Sequence, residues 1–145
     1  MKNKQLNLEK IINLAYKYLG RTYKYGATLS EAPKFFDCSS FVQFLFKKLD
    51  INIGRPALAQ ASHGRVVKDK KKIMPGDLIF IKGAWGHYNP EFPQGIGHVL
   101  LYIGNGKVIH AKGNEVNGRQ KGKVILDTAA KWLKRHDLIV IKRII

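Results

Sequence analysis

The chain has one cysteine in 145 residues, Cys38. No intramolecular disulfide can form, so the core must hold the fold unaided, and the thiol is either a small buried hydrophobe or a reactive group. Long apolar runs are also missing. Nothing reaches the roughly 20 residues of a transmembrane helix, and the N-terminus, Met1-Lys2-Asn3-Lys4-Gln5, lacks the apolar stretch of a secretory signal. Acidic residues are scarce: 10 Asp+Glu against 26 Lys+Arg give a formal net charge of +16. Such a field favours a polyanion, whether nucleic acid, anionic lipid or an acidic cell-wall polymer. No internal repeat or low-complexity segment occurs.

What is present is enough for one domain over residues 1–145. Hydrophobic residues make up 45% of the chain and aromatics 10%, which excludes disorder as its main state. The charge is unevenly spread. Residues 78–110 carry two basic and one acidic side chain, whereas 111–145 carry nine and three. A chain whose whole task was polyanion binding would make its most distinctive segment basic, and here that segment is nearly neutral.

Periodicity predicts an amphipathic helix from an Asn7 cap through Leu8, Ile11, Ile12, Ala15, Tyr16 and Leu19 to Gly20. Residues 21–34 have no sustained period and read as an irregular connection. Asp37 caps a second helix, with Cys38, Phe41, Val42, Leu45 and Leu49 on one stripe. Pro56 suits the first position of a short helix, and Lys68 to Lys72 read as a solvated turn. Pro75-Gly76-Asp77 leads into an apolar strand, Leu78–Ile81. A loop rich in Gly and Pro follows to Gly97. Its Trp85, His87, Tyr88 and Phe92 either wall a cleft or simply pack.

From His98 two apolar runs flank Asn105-Gly106, a strong hairpin signal. Alternation puts His98, Leu100 and Tyr102 on one face of the first strand, and Val108 and His110 on one face of the second. Strands at 124–126 and 138–144, with a short helix near Thr128 to Leu133, complete an α+β domain: N-terminal helices packed on a central antiparallel sheet.

A thiol at a helix N-terminus has its thiolate favoured by unpaired N–H groups and the helix dipole, and the same groups suit a developing oxyanion. Cys38 sits there, although a lone Cys on an apolar stripe is more often core. Histidine tips that balance. His63 and His136 lie in polar surroundings and read as exposed, and His87 has no clear role. His98 and His110 are polar residues inside apolar strands of one hairpin, and a cysteine hydrolase needs both a base and a group to orient it.

Three blocks, Asp37-Cys38-Ser39-Ser40-Phe41-Val42-Gln43, Pro75-Gly76-Asp77-Leu78-Ile79-Phe80 and Gly97-His98-Val99 through Tyr102-Ile103-Gly104-Asn105-Gly106 to Ile109-His110-Ala111, occur in the order found in the NlpC/P60 family of papain-like cysteine peptidases. The chain resembles that family from about Leu8 to Ala111. The resemblance implies a papain-like fold with Cys38 as nucleophile, His98 as general base and acid, and His110 orienting His98. It implies that Tyr23 lines the site, that Asp37 and Ser39 help bind the free amino end of a peptidoglycan stem peptide, and that no metal or other cofactor is needed. The implied reaction is hydrolysis of the γ-D-glutamyl bond to a diamino acid. An amidase or acyltransferase using the same groups, and a non-catalytic basic wall-binding module, are the alternatives. Ser40 and Ala27 stand where the family usually has Gly. The implied place of action is the cell envelope or its exterior, reached by a route the sequence does not show. No motif for specific nucleic-acid recognition is present.

Overall fold

A computed structural model describes residues 2–84, 86–117 and 119–145, without the side chains of Lys2, Glu115, Val116, Arg119 and Gln120. Trp85 therefore lies outside the described residues. The chain runs α1 (Lys2–Lys17), β1 (Thr22–Tyr23), β2 (Phe35–Phe36), α2 (Cys38–Lys47), α3 (Ala57–Gln60), β3 (Arg65–Val66), β4 (Leu78–Ile81), β5 (His98–Gly104), β6 (Lys107–Val116), β7 (Arg119–Thr128), α4 (Ala129–Leu133) and β8 (Leu138–Arg143). The strands form one eight-stranded sheet in the order β2-β1-β7-β6-β5-β4-β8-β3. Every pairing is antiparallel except β1 with β2, so the expected antiparallel sheet is in fact mixed at one edge. Among the described residues no helix is long and apolar enough to cross a membrane.

Several local expectations shift for physical reasons. Helix α1 begins at Lys2, so Asn7 lies inside it rather than capping it; the Lys and Gln that precede Asn7 are good helix formers and extend the helix. Pro56 is the N-cap of α3 instead of its first residue. The segment 21–34 contains β1, too short for any period to reveal, yet hydrogen-bonded at the sheet edge to β7 through Thr22 opposite Lys123. Strands β6 and β7 run to ten residues each, β7 well past the apolar 124–126, with Lys121 and Lys123 exposed along it.

Packing on the two sheet faces differs in size. The face toward α1 and α2 holds the main core, in which Phe36, Phe41, Leu45, Phe46, Leu78, Phe80, Val99 and Leu101 are fully buried. Edge-to-face contacts of Phe36 with Phe41 (5.2 Å, 74°) and of Tyr18 with Phe44 (5.3 Å, 79°) each add about 0.5–1.5 kcal/mol beyond area burial. The opposite face holds a smaller cluster of Ile79, Ile81, Leu100, Val108, Ala129, Trp132 and Ile141 under α4. The Pro-Gly-Asp turn ties strands of this sheet together: Asp77, 1% exposed, accepts from Arg143 Nε and Nη2 of β8, both at 2.8 Å.

The loop from Gly83 to Gly97 packs through part of its length. Phe92 and Ile96 enter the main core, while His87 and Tyr88 face solvent. A side chain on Gly97 would stand 2.7 Å from Lys82 O and 2.9 Å from Gly86 Cα, so the loop closes tightly against the start of β5, immediately before His98.

Candidate active site

Two elements from opposite faces of the sheet meet at the start of β5. The first is the N-terminus of α2. Asp37 caps it, accepting from Ser40 N at 2.8 Å, and Ser40 Oγ accepts in return from Asp37 N at 2.9 Å, a reciprocal capping box. This gives the unusual Ser40 a definite structural use. Ala27 is also buried, and its carbonyl accepts from Arg55 Nη1 at 2.5 Å.

The same Asp37 carboxylate is heavily engaged. Its Oδ2 accepts from Arg55 Nη2 at 2.6 Å and from Gly26 N at 3.1 Å, and Arg55 Nε donates to Ser39 Oγ at 3.2 Å. Gln60 Nε2 donates to Ser39 O at 2.9 Å and Gly54 O at 2.8 Å, which holds the segment carrying Arg55 against α2. Cys38 is fixed by this knot with its Sγ 3.8 Å from Gly97 O, and the Val99 and Ser39 N–H groups also point to the sulfur. The thiol therefore lies against the backbone on both sides of His98.

The second element is the β5–β6 hairpin. Pairing of Tyr102 with Val108 and of Leu101 with Ile109 puts His98 and His110 on one face. Their rings meet edge-on at 5.0 Å, with His98 Nε2 and His110 Nδ1 2.8 Å apart. His110 is fully buried. Trp132 of α4 lies over both rings, at 5.6 Å from His98 and 5.0 Å from His110. His110 Nε2 lies 3.4 Å from Asp127 Oδ2. Asp127, opposite Val108 in β7, also accepts from Trp132 Nε1 at 3.0 Å, Thr128 N at 2.8 Å and Lys131 Nζ at 2.7 Å.

The electrostatics correct one sequence expectation. Burial, followed by the neighbouring Asp37, pushes the Cys38 thiol up to about 12, against the opposing pull of the Val99 and Ser39 N–H groups and Arg55. Burial pulls His98 down to about 3, with His110, Lys112 and Arg135 acting in the same direction, and pulls His110 down to about 4 against Asp127. Helix-end stabilisation of the thiolate is real but outweighed by the loss of solvent, so the resting pair is a neutral thiol and a neutral imidazole.

Tyr23 stands beside this pair. Its ring covers Gly113 of β6 so closely that a Cβ there would come within 2.5 Å of it, and burial, together with the proximity of Cys38 and Asp37, raises its hydroxyl pKa above the usual range. His63, His87 and His136 are exposed and distant in role from the cluster. Arg55, Asp127 and Trp132 were not singled out by sequence; each reaches the site through a contact across 16 residues or more, or by strand register, which no local pattern signals. Among the described residues no group of His, Cys, Asp and Glu is arranged to hold a metal ion.

Known proteins resemble this chain in sequence and in fold. The chain is 37% identical over 107 residues to probable endopeptidase p60 of Listeria welshimeri, covering 73% of this chain and 18% of that protein. It is 33% identical over 103 residues to the γ-D-glutamyl-L-lysine dipeptidyl-peptidase of Bacillus cereus, covering 71% and 28%. The chain thus spans less than a third of the length of these relatives. The P60 domain of an antigen from M. avium subspecies paratuberculosis superposes with a TM-score of 0.74 at 25% identity, over 100% of this chain and 98% of that one. The NlpC/P60 family profile matches residues 20–138, and this chain belongs to the NlpC/P60 family.

Proposed function

We propose that this chain is a cysteine endopeptidase that hydrolyses the γ-D-glutamyl bond to the diamino acid of peptidoglycan stem peptides. The observation that carries the reading is the His98–His110 pair, joined at 2.8 Å and set on the strand whose backbone at Gly97 and Val99 meets the Cys38 thiol. The specificity of the Bacillus cereus relative supports the choice of bond.

With His98 Nε2 engaged by His110, Nδ1 is the ring nitrogen left for the thiol. Because the resting pair is neutral, proton transfer from Sγ to Nδ1 accompanies attack of sulfur on the carbonyl carbon. Negative charge then gathers on the carbonyl oxygen, where the Cys38 N–H at the start of α2 can stabilise it. Imidazolium Nδ1–H returns the proton to the departing amine, leaving an acyl-thioester. Water, deprotonated by His98, cleaves the thioester, and the thiol regains its proton.

Tyr23 forms a wall of the cleft in this reading. Asp37 and Ser39 are the candidates for the free amino end of the peptide. Asp37 already carries Arg55, so an ammonium group docking there shares the carboxylate with a guanidinium instead of meeting an uncompensated charge. The basic surface holds anionic wall polymer and keeps the enzyme at the envelope. Wall binding that does not weaken with added salt would overturn this last point.

The deciding experiment is mass spectrometry of muropeptides incubated with the protein and with Cys38→Ala. Fragments cut between D-glutamate and the diamino acid, released only by the native protein, are expected. No Cys38-dependent fragment, or masses showing cleavage at muramoyl–alanine, would sink the reading.

A further inference from the structure

The proposed chemistry uses Cys38, His98 and His110, but the hydrogen-bonded chain does not stop there. We infer that Asp127 is a positioning residue that fixes the tautomers of both histidines and so decides whether His98 can act as a base at all. The inference rests on the cysteine-hydrolase reading for its catalytic consequence, although its structural content stands apart from it.

Between two neutral imidazoles joined from His98 Nε2 to His110 Nδ1, one proton occupies the shared hydrogen bond, and it can belong to either ring. If it belonged to His110 Nδ1, His98 would carry its proton on Nδ1, and no lone pair would face the thiol. If it belongs to His98 Nε2, the lone pair is on Nδ1 and His110 carries its proton on Nε2. Asp127 selects the second arrangement. An ionised carboxylate only accepts, and its Oδ2 faces His110 Nε2; the first arrangement would place two acceptors against each other in a buried site.

Asp127 is built for that task. Trp132 Nε1, Thr128 N and Lys131 Nζ all donate to it. Although burial opposes ionisation, those bonds and His110 hold the carboxyl well below the ordinary carboxylate range. It therefore stays an acceptor across the working pH. The other charged groups facing the histidines are Lys112, Lys131 and Arg135, and Arg135 is itself paired with Asp137 and stacked on Trp132. On the thiol side the neighbours are Asp37, Arg55 and Tyr23. Asp127 is thus the only carboxylate among the described residues aimed at the histidine pair, and the nearby cations all oppose its charge. When His98 becomes imidazolium, Asp127 compensates the positive charge through His110.

The test has two readouts. Nitrogen-15 NMR of the imidazoles in the unaltered chain near neutral pH should show both His98 and His110 protonated on Nε2, with Nδ1 unprotonated. A proton on His110 Nδ1 overturns the inference whether or not the protein is an endopeptidase, and this readout needs no variant to fold. The second uses Asp127→Asn. With its charge gone, kcat should fall about tenfold with KM unchanged, and the acid limb of kcat/KM, which reports deprotonation of the coupled histidines, should move to lower pH. A fall in kcat with the limb unmoved would assign Asp127 a merely structural role and overturn the proposal. Absence of turnover in the native protein would instead remove the hydrolase reading and leave the tautomer assignment standing.

Discussion

The thiol half and the histidine half of the site are built by opposite means. Around Cys38 a local cap from residue 37 to residue 40 sets the helix end, and one distant side chain, Arg55, neutralises the same carboxylate. Around His98 and His110 the groups come from β5, β6, β7 and α4, joined by register and covered by Trp132. The first half is held by side chains that cap and bridge one helix end, with the Asp37 carboxylate at their centre. The second depends on two strands pairing in register, where a slip of one residue would turn a histidine to the other face. A nucleophile needs a fixed position, and a helix end supplies it; a proton relay needs several rings in line, and only a sheet brings such distant residues together.

Variants that strike one half at a time should separate these roles. The largest effect is expected from Cys38→Ala and His98→Ala, each lowering turnover by at least about 10³-fold with little change in Tm. A His98 variant with native turnover would break the assignment, and loss of folding in both would mean that the residues serve the core. His110→Ala should retain some activity, down roughly 10²-fold, the low end for a positioned acid–base group.

Next in size, Asp37→Ala should cost about 3 kcal/mol of stability in urea unfolding, since it removes a helix cap and leaves Arg55 without its partner in a partly buried site. No change in midpoint would show that Arg55 is held by solvent. Smaller again is Gly113→Ala. Its Cβ must displace the Tyr23 ring, and an increase in KM with kcat nearly retained would separate a wall of the cleft from the proton relay.

A separate effect concerns pH. His98 and His110 are held below the ordinary histidine value in the folded chain, so their neutral forms stabilise it fully above about pH 6.5. That contribution is lost as pH falls toward 4 and below, because the unfolded chain then binds more protons. Thermal melts of the native protein and His110→Gln should converge in their pH dependence less steeply for the variant; identical slopes would contradict buried neutral rings. On the other side of the site, Cys38 alkylation should accelerate toward alkaline pH, and a rate plateau below pH 7 would reveal an ion pair already formed without substrate.

The parts of the site legible in sequence are those governed by neighbours in the chain. Asp37 before an apolar stripe announces a helix cap, and Asn105-Gly106 between apolar runs announces the hairpin that carries His98 and His110; the pairing of Tyr102 with Val108 is what puts both on one face. Asn7 misled because a capping residue is equally at home on an exposed helix face when good helix formers precede it. Tyr23 was found only through resemblance, since a two-residue strand has no period. Arg55 and Asp127 carried no local mark at all.

The sequence by itself therefore determined the α+β class, the helix bearing Cys38 and the hairpin bearing the two histidines, because capping, turn chemistry and alternation act over a few residues. Only the tertiary structure decided that Arg55 would neutralise Asp37, that Asp127 would stand behind His110, and that the thiol would rest neutral. Each of those depends on which distant groups exclude water from one another, and desolvation belongs to the folded surroundings rather than to any stretch of chain.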